Sequence, residues 1–266
     1  MARKVVLAGA CRTAIGSMGG SLSTVPAAEL GAVVISEAVK RTGIAPDMVD
    51  QVYMGCVIQA GLGQNVARQA AIKAGLPVEV PAVTVNVVCG SGLYAVNMAA
   101  QMIISGEADI VVAGGMENMS MAPYALMQAR FGYRMNHASM LDTMVTDALW
   151  DAFHDYHMGI TAENVAGQWG LKREELDLFA AESQRKASIA QKTGAFEREI
   201  VPIEVKKKRE VILVDKDEGL RPGTTVENIA RLHPAFKDDG VVTAANSSTI
   251  NDGAAAVVVL SEEKAK

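Results

Sequence analysis

Cysteine is scarce: the 266 residues hold three, Cys11, Cys56 and Cys89. An odd and scattered set is no disulfide framework, and no CxxC pair or His/Cys cluster offers a zinc site. No bound metal is expected, and a reducing, cytoplasmic setting fits this cysteine usage. Basic excess is also lacking. The net charge is -5, which leaves no electrostatic case for nucleic acid or an anionic membrane as partner. No uninterrupted apolar run approaches about 18 residues, so no membrane span is expected. The opening MARKVVLAGA has too short an apolar run for a signal peptide and reads as a first strand. Internal repeats and low-complexity segments are absent.

What is present is a globular composition, 50% hydrophobic and 21% charged, long enough for one large domain or two smaller ones. Strand-like apolar runs stand at Val5–Ala8, Val52–Val57, Val83–Val88 and Ile110–Ala113. The polar, Gly-rich CRTAIGSMGG (Cys11 to Gly20) reads as a loop. Arg12 and Thr13 within it either contact a docked molecule or tie down the loop's own backbone. Helical spacing appears from Ala27 to Arg41, closed by Gly43, and from Asn65 to Ala74, ended by Gly75 and Pro77. This alternation implies a layered α/β architecture with a largely parallel sheet covered on both faces.

After Gly115 the pattern breaks into a Met- and Ala-rich excursion, Met116 to Met140. Leu141–Phe153 reads as a short helix. Thr161 is placed to cap a helix through Trp169, and Lys172–Lys192 is amphipathic. The Lys206-Lys207-Lys208-Arg209 run reads as a solvated strand or loop, with a phosphate role as the lesser alternative. Asn251-Asp252-Gly253 signals a turn before an apolar strand, Val257–Leu260. That strand returns to the first sheet, which makes Ser120 to Ser247 an insertion.

The central stretch is VNVVCGSGLYAV, Val85 to Val96. A strand runs into Cys89, then Gly90 and Gly92, then a helix with apolar residues at Leu93, Val96, Ala100 and Ile103. Helix N–H groups directed at the thiol favour thiolate, the reactive form. The same spacing fits a buried structural cysteine equally well.

CRTAIGSMGG, GQNVARQAA, NVVCGSGLYAV, GGMENMS, HMGITAENVA and NSSTINDGAAAVVVLS, in this order and spacing, resemble the thiolase family on the side of its bacterial biosynthetic acetyl-CoA C-acetyltransferases. The Cys-Gly-Ser-Gly turn and the long insertion set the resemblance apart from ketoacyl synthases. It implies a layered α-β-α half, a mixed and mostly parallel sheet with helices on both faces, and an inserted α+β loop domain. The implied boundaries are 1–119 for the core, 120–247 for the CoA-binding and tetramerisation insertion, and 248–266 for the return to the core. It also implies reversible Claisen chemistry: two acetyl-CoA give acetoacetyl-CoA and CoA, with no cofactor beyond the CoA substrates. Cys89 matches the nucleophile that carries the acyl group, and its backbone N–H matches an oxyanion donor. Leu149, His157, Met158, Arg221, Phe236, Ala244 and Ser248 fall on CoA-binding positions. Read from the residues alone, Leu149, Met158 and Phe236 are ordinary core, His157 an interior histidine, and Ser248 a turn cap. A homodimer or homotetramer is implied, with the 116–140 excursion as the tetramer contact.

The family's second half is expected to be absent from this chain. It supplies a Gly-His-Pro histidine, an asparagine and a second Cys-Gly-Gly cysteine. His233 precedes Pro234 here, but Leu232 stands where the glycine belongs. Loss of such members costs orders of magnitude in rate, so the 266-residue chain alone is expected to turn over negligibly. The helix after Cys89, normally covered by that half, is expected to expose apolar surface. The alternative is a non-catalytic, self-associating fragment that binds CoA.

Overall fold

The computed structural model describes residues 3–207 and 210–266. Lys208 and Arg209, half of the basic run, lie outside the described residues. The chain divides into two compact units, one of residues 1–124, 198–218 and 251–266, the other of residues 125–197 and 219–250. The expected insertion 120–247 is therefore not one block. Its 198–218 stretch belongs with the sheet.

The first unit is built from β1 (Val5–Thr13), α1 (Ala27–Thr42), β2 (Gln51–Gly55), α2 (Val66–Lys73), β3 (Ala82–Val85), α3 (Ser91–Ser105), β4 (Ile110–Asn118), β5 (Ile200–Val201), the hairpin β6 (Ile203–Lys207) and β7 (Glu210–Val214), and β8 (Asn251–Ser261). The sheet order is β5-β1-β8-β4-β2-β3, with Gly16–Ser17 paired to β8. The β5–β1, β4–β2 and β2–β3 pairs are parallel, and β8 runs antiparallel to both its neighbours. The sheet is thus mixed and mostly parallel, as expected.

Strand alternation sorts the core. Tyr53, Val111, Ala113 and Val259 pack with Ala95, Ala99 and Ile103 of α3. On the opposite face a Cβ at Gly31 of α1 would overlap the Met116 sulfur and press Ala70 of α2. Helices therefore cover both faces.

Several local readings need correction. Cys11–Thr13 is strand, because Gly9 at φ +65° allows β1 to shift register between Ala8 and Cys11 and continue along β8. Asn251–Gly253 is also strand: Asp252 is buried and accepts hydrogen bonds from Ser120 N–H (3.0 Å) and Oγ–H (2.6 Å), which replaces the turn. The stripe that α3 buries is Ser91, Ala95, Ala99 and Ile103, whereas Leu93 is 72% exposed. The 88–105 stretch does qualify by length and composition as a candidate membrane span, contrary to expectation. The helix within it has 15 residues, about 22 Å against the roughly 30 Å of a bilayer core.

The small stripe on α3 follows from how near the helix lies to the sheet. A Cβ at Gly55 would stand 2.7 Å from Ser91 Cβ and 2.9 Å from Gly92 N, and one at Gly115 would stand 3.4 Å from Gly92 Cα. Arg12 ties β1 to the 198–218 stretch. Its guanidinium donates to both Asp217 oxygens (2.7 and 2.9 Å) and to Glu199 (2.7 Å). Burial pushes the Asp217 carboxyl up, but the Arg12 hydrogen bond, the Ile15 N–H and the Arg12 charge outweigh it and hold it below the ordinary range.

In the second unit, Leu141–Phe153 is helical only over residues 143–149. It holds a π-type turn, Val145–Leu149, and then the first strand of a small hairpin, Trp150–Asp151 paired with Tyr156–His157. α4 (Met158–Trp169) starts before Thr161 because His157 caps it: the ring Nδ1 accepts from Gly159 N–H at 2.9 Å. α5 spans Arg173–Lys192, and the short α6 (Val226–Ile229) is capped by Thr225.

Two outcomes follow. Gly55→Ala should destabilise the protein by about 2 kcal/mol through overpacking, while Gly92→Ala, whose Cβ meets nothing nearer than 3.8 Å, should stay within about 1 kcal/mol of the parent; urea melts compare them. Asp217→Asn should cost about 2 kcal/mol at pH 7. Because the folded pKa is depressed, that contribution is present above the unfolded carboxylate value and is lost as pH falls through the folded value. The deficit of the variant should therefore shrink in melts taken below about pH 4.

Candidate functional site

The Cys89 turn starts where β3 ends. Asn86 leaves the strand, and its Oδ1 accepts from Val88 N–H at 3.0 Å. Val88 has φ +54°, a left-handed conformation that is a true outlier for a β-branched side chain. Ser91 holds the other side: its Oγ accepts from Val87 N–H (3.0 Å) and donates to the Val88 carbonyl (2.5 Å), and its own N–H donates to the same carbonyl (3.0 Å). Strain of this kind costs about 1–3 kcal/mol and persists where neighbours over-determine it, often at functional sites. Both backbone polar groups of Val88 are held, and Cys89 follows directly.

Cys89 is exposed, whereas Cys11 and Cys56 are buried. The bland reading of Cys89 as a buried structural thiol is thereby removed. Cys11 donates to the Val34 carbonyl (3.3 Å), and burial pushes its thiol up to about 11. Burial likewise pushes Cys56 up, with the Glu117 charge adding to it. Neither presents a nucleophile to solvent.

Beside α3 the sheet face carries a groove of about 450 Å³, lined by Gly92, Leu93, Val96, Gly115, Ala255 and Val257 among others. Neither Cys89 nor any candidate CoA residue lines it. Leu93 (72% exposed), Tyr94 (49%) and Ile104 (49%) leave apolar surface open on the outer face of α3, as the sequence led us to expect, and the exposed polar residues Asn97 and Gln101 share that face. Arg12 and Thr13 serve the scaffold. Arg12 bridges to two carboxylates, and Thr13 Oγ donates to the Ala14 carbonyl (2.7 Å) and accepts from Ala254 N–H (3.1 Å).

All seven candidate CoA residues belong to the second unit. The structure brings two of them together: the His157 and Phe236 rings stack at 5.0 Å and 19°. The Phe236 ring lies over Gly159, where a Cβ would overlap it. Met158 follows His157 as the first residue of α4. Trp150, which sequence reasoning missed, meets His157 edge-on at 6.4 Å, and its indole N–H donates to Asp155 at 2.8 Å. Leu149 precedes it at the end of the π-type turn.

Ala244 and Ser248 are exposed on a loop fastened from below. Asn246 Oδ1 accepts from Thr243 N–H (2.7 Å), and its Nδ2–H donates to the buried Asp177 (2.9 Å). Glu163 accepts from Val241 N–H (3.0 Å) and Val242 N–H (2.8 Å). Arg221 is exposed, with its backbone N–H on Gln184 Oε1 at 2.9 Å. Among the described residues no group of His, Cys, Asp and Glu is arranged to hold a metal ion.

A family model described as the thiolase N-terminal domain matches residues 5–263. The chain is 58% identical over 263 residues to an acetyl-CoA acetyltransferase of Pseudomonas aeruginosa, covering 98% of this chain and 67% of that protein. It is 56% identical over 264 residues to a probable acetyl-CoA acyltransferase of Staphylococcus aureus, covering 99% of this chain and 67% of the relative. The crystal structure of the Bacillus anthracis acetyl-CoA acetyltransferase matches with a TM-score of 0.96 at 44% identity, over 99% of this chain and 67% of that one. The chain thus spans about two thirds of the length of these relatives.

The geometry predicts that iodoacetamide at neutral pH modifies Cys89 at least tenfold faster than Cys11 or Cys56, the buried pair, by peptide mass spectrometry. Equal rates at all three thiols would contradict the exposure and the turn geometry together.

Proposed function

This chain belongs to the thiolase family, and from that premise we propose that it provides the nucleophile and CoA-binding parts of an acetyl-CoA C-acetyltransferase. The observation that carries the reading is the exposed Cys89 on a strained, doubly fastened turn at the head of α3.

In the proposed reaction the Cys89 thiolate attacks the thioester carbonyl of acetyl-CoA. A new S–C bond forms, the old one breaks, and CoA leaves as its thiolate. The Cys89 backbone N–H steadies the developing oxyanion. A second acetyl-CoA, after losing a Cα proton, attacks the acyl-enzyme; the C–C bond forms and Sγ leaves. The sequence runs equally in reverse. The stacked His157–Phe236 pair, with Leu149, Met158, Ala244 and Ser248, suits the apolar pantetheine arm, and Arg221 suits the nucleotide end. None of the 266 residues matches the family's Gly-His-Pro histidine or its Cys-Gly-Gly cysteine, so the Cα proton has no assigned acceptor here. The reading therefore includes acylation without sustained condensation, in a homo-oligomeric, cytoplasmic protein.

The apolar surface open on α3 favours one competing reading, a self-associating fragment that binds CoA without chemistry. Acetyl-CoA added to the 266-residue protein separates them. We expect an acetylated Cys89 peptide, stoichiometric CoA release and no labelling in Cys89→Ala. Acetoacetyl-CoA thiolysis should stay orders of magnitude below a complete enzyme. CoA retention with no acyl-cysteine would favour the fragment, and thiolysis at the rate of a complete enzyme would overturn the lack of turnover.

A further inference from the structure

Glu117 is a half-buried carboxylate with no part in the scheme above. It stands near the end of β4, two residues beyond Gly115, which with Gly55 forms the last β2–β4 pair. There it accepts from Val57 N–H at 2.7 Å and from Ile58 N–H at 3.3 and 3.4 Å, and the Cys56 thiol lies 3.7 Å from its Oε1. The side chain takes over where backbone carbonyls stop, which satisfies donors that would otherwise be orphaned.

The segment it holds leads toward the nucleophile by two links. Cys56 N–H donates to the Val85 carbonyl at 3.1 Å, and Asn86 Nδ2–H donates to the Val57 carbonyl at 3.4 Å. The same Asn86 accepts from Val88 N–H through Oδ1. Val88 is the strained residue before Cys89. A continuous chain of contacts thus runs from Glu117 through the 56–58 backbone and Asn86 to the turn.

We propose that Glu117 is a positioning residue for Cys89, acting through the 56–58 backbone and the Asn86 side chain. The proposal rests on the reading of Cys89 as nucleophile, since only then does its placement bear on acyl transfer. Burial raises the Glu117 carboxyl above the ordinary range, against the pull of its N–H donors. This fits a group retained for its acceptor geometry in a site that disfavours charge. A carboxylate that merely closed the strand ladder would leave the reactivity of Cys89 untouched.

The test is the Cys89 alkylation rate in the 266-residue protein, by peptide mass spectrometry, for Glu117→Gln, Asn86→Ala and the double variant. Each single change should slow Cys89 at least threefold, and the double should be no slower than the slower single, because both cut one chain. A double effect equal to the product of the singles overturns the proposal. If Glu117→Gln does not fold, Asn86→Ala still decides: it removes no buried group, and a parent rate there also overturns the proposal. Val34→Ala, which weakens the α1 layer, should lower the melting temperature and leave the Cys89 rate unchanged. Failure of the nucleophile reading would appear separately, as parent Cys89 reacting no faster than Cys11 and Cys56.

Discussion

The position of α3 depends on how closely it lies on the sheet. A helix packed through leucines stands off its sheet by the depth of those side chains. Here Gly55 lies against Ser91 and Gly92, Gly115 lies against Gly92, and Ala95 and Ala99 pack with Tyr53, Val111 and Ala113. At Gly114 a Cβ would overlap the Ala255 carbonyl of the neighbouring strand, so the glycines serve sheet and helix packing together. Close seating brings the N-terminal end of the helix to the end of β3, and only five residues, Asn86 to Gly90, join them. The left-handed Val88 follows from that short connection: the chain must reverse within it. The turn is strained because the layers are tightly packed.

The layered architecture was legible because it depends on local signals. Apolar runs, Gly and Pro stops and helical spacing located α1, α2 and the strands. The motif order carried the rest of the fold and singled out Cys89 as the candidate nucleophile. What stayed hidden depends on residues far apart in sequence. Ile103 is buried on α3 as its hydrophobicity suggests and Val96 packs partly against the core, yet Leu93 is exposed and Ser91, Ala95 and Ala99 fill the rest of the buried stripe, since steric room as well as apolarity decides there. The strand character of Asn251–Gly253 depends on Ser120, and that of Cys11–Thr13 depends on a bulge at Gly9. Trp150 carried no signal, as its partner Asp155 and the His157 ring acquire meaning only once the hairpin forms.

Carboxylates carry much of this long-range organisation. Asp50 accepts from Asp109 N–H (2.8 Å) and Ile110 N–H (2.9 Å), and Glu218 accepts from Ser17 N–H (2.8 Å) and Ser21 N–H (3.0 Å). Glu163 does the same for the 241–242 backbone, and Asp252 for Ser120. In each case an ionisable side chain replaces a backbone acceptor where regular pairing ends. Hydrogen bonds of a charged group to backbone N–H are about twice as strong as neutral ones, which suits them to fixing loop ends. A list of acidic residues does not reveal this use, because a surface glutamate and a loop anchor are spelled the same way.

The place of β8 has a consequence for how the molecule is made. It lies between β1 and β4, with Val5 paired to Ser261 and Ile110 to Leu260. On a ribosome, β1 and β4 emerge long before their common neighbour exists. Until Ser261 is synthesised, the sheet is two unjoined pieces, and α1 and α3 lie over an empty slot that β8 fills. Loop closure over so many residues is entropically slow, so the half-made chain carries two open strand edges into the crowded cell. The central strand acts as a keystone that arrives after both its neighbours, and the nascent chain depends on not meeting another strand first.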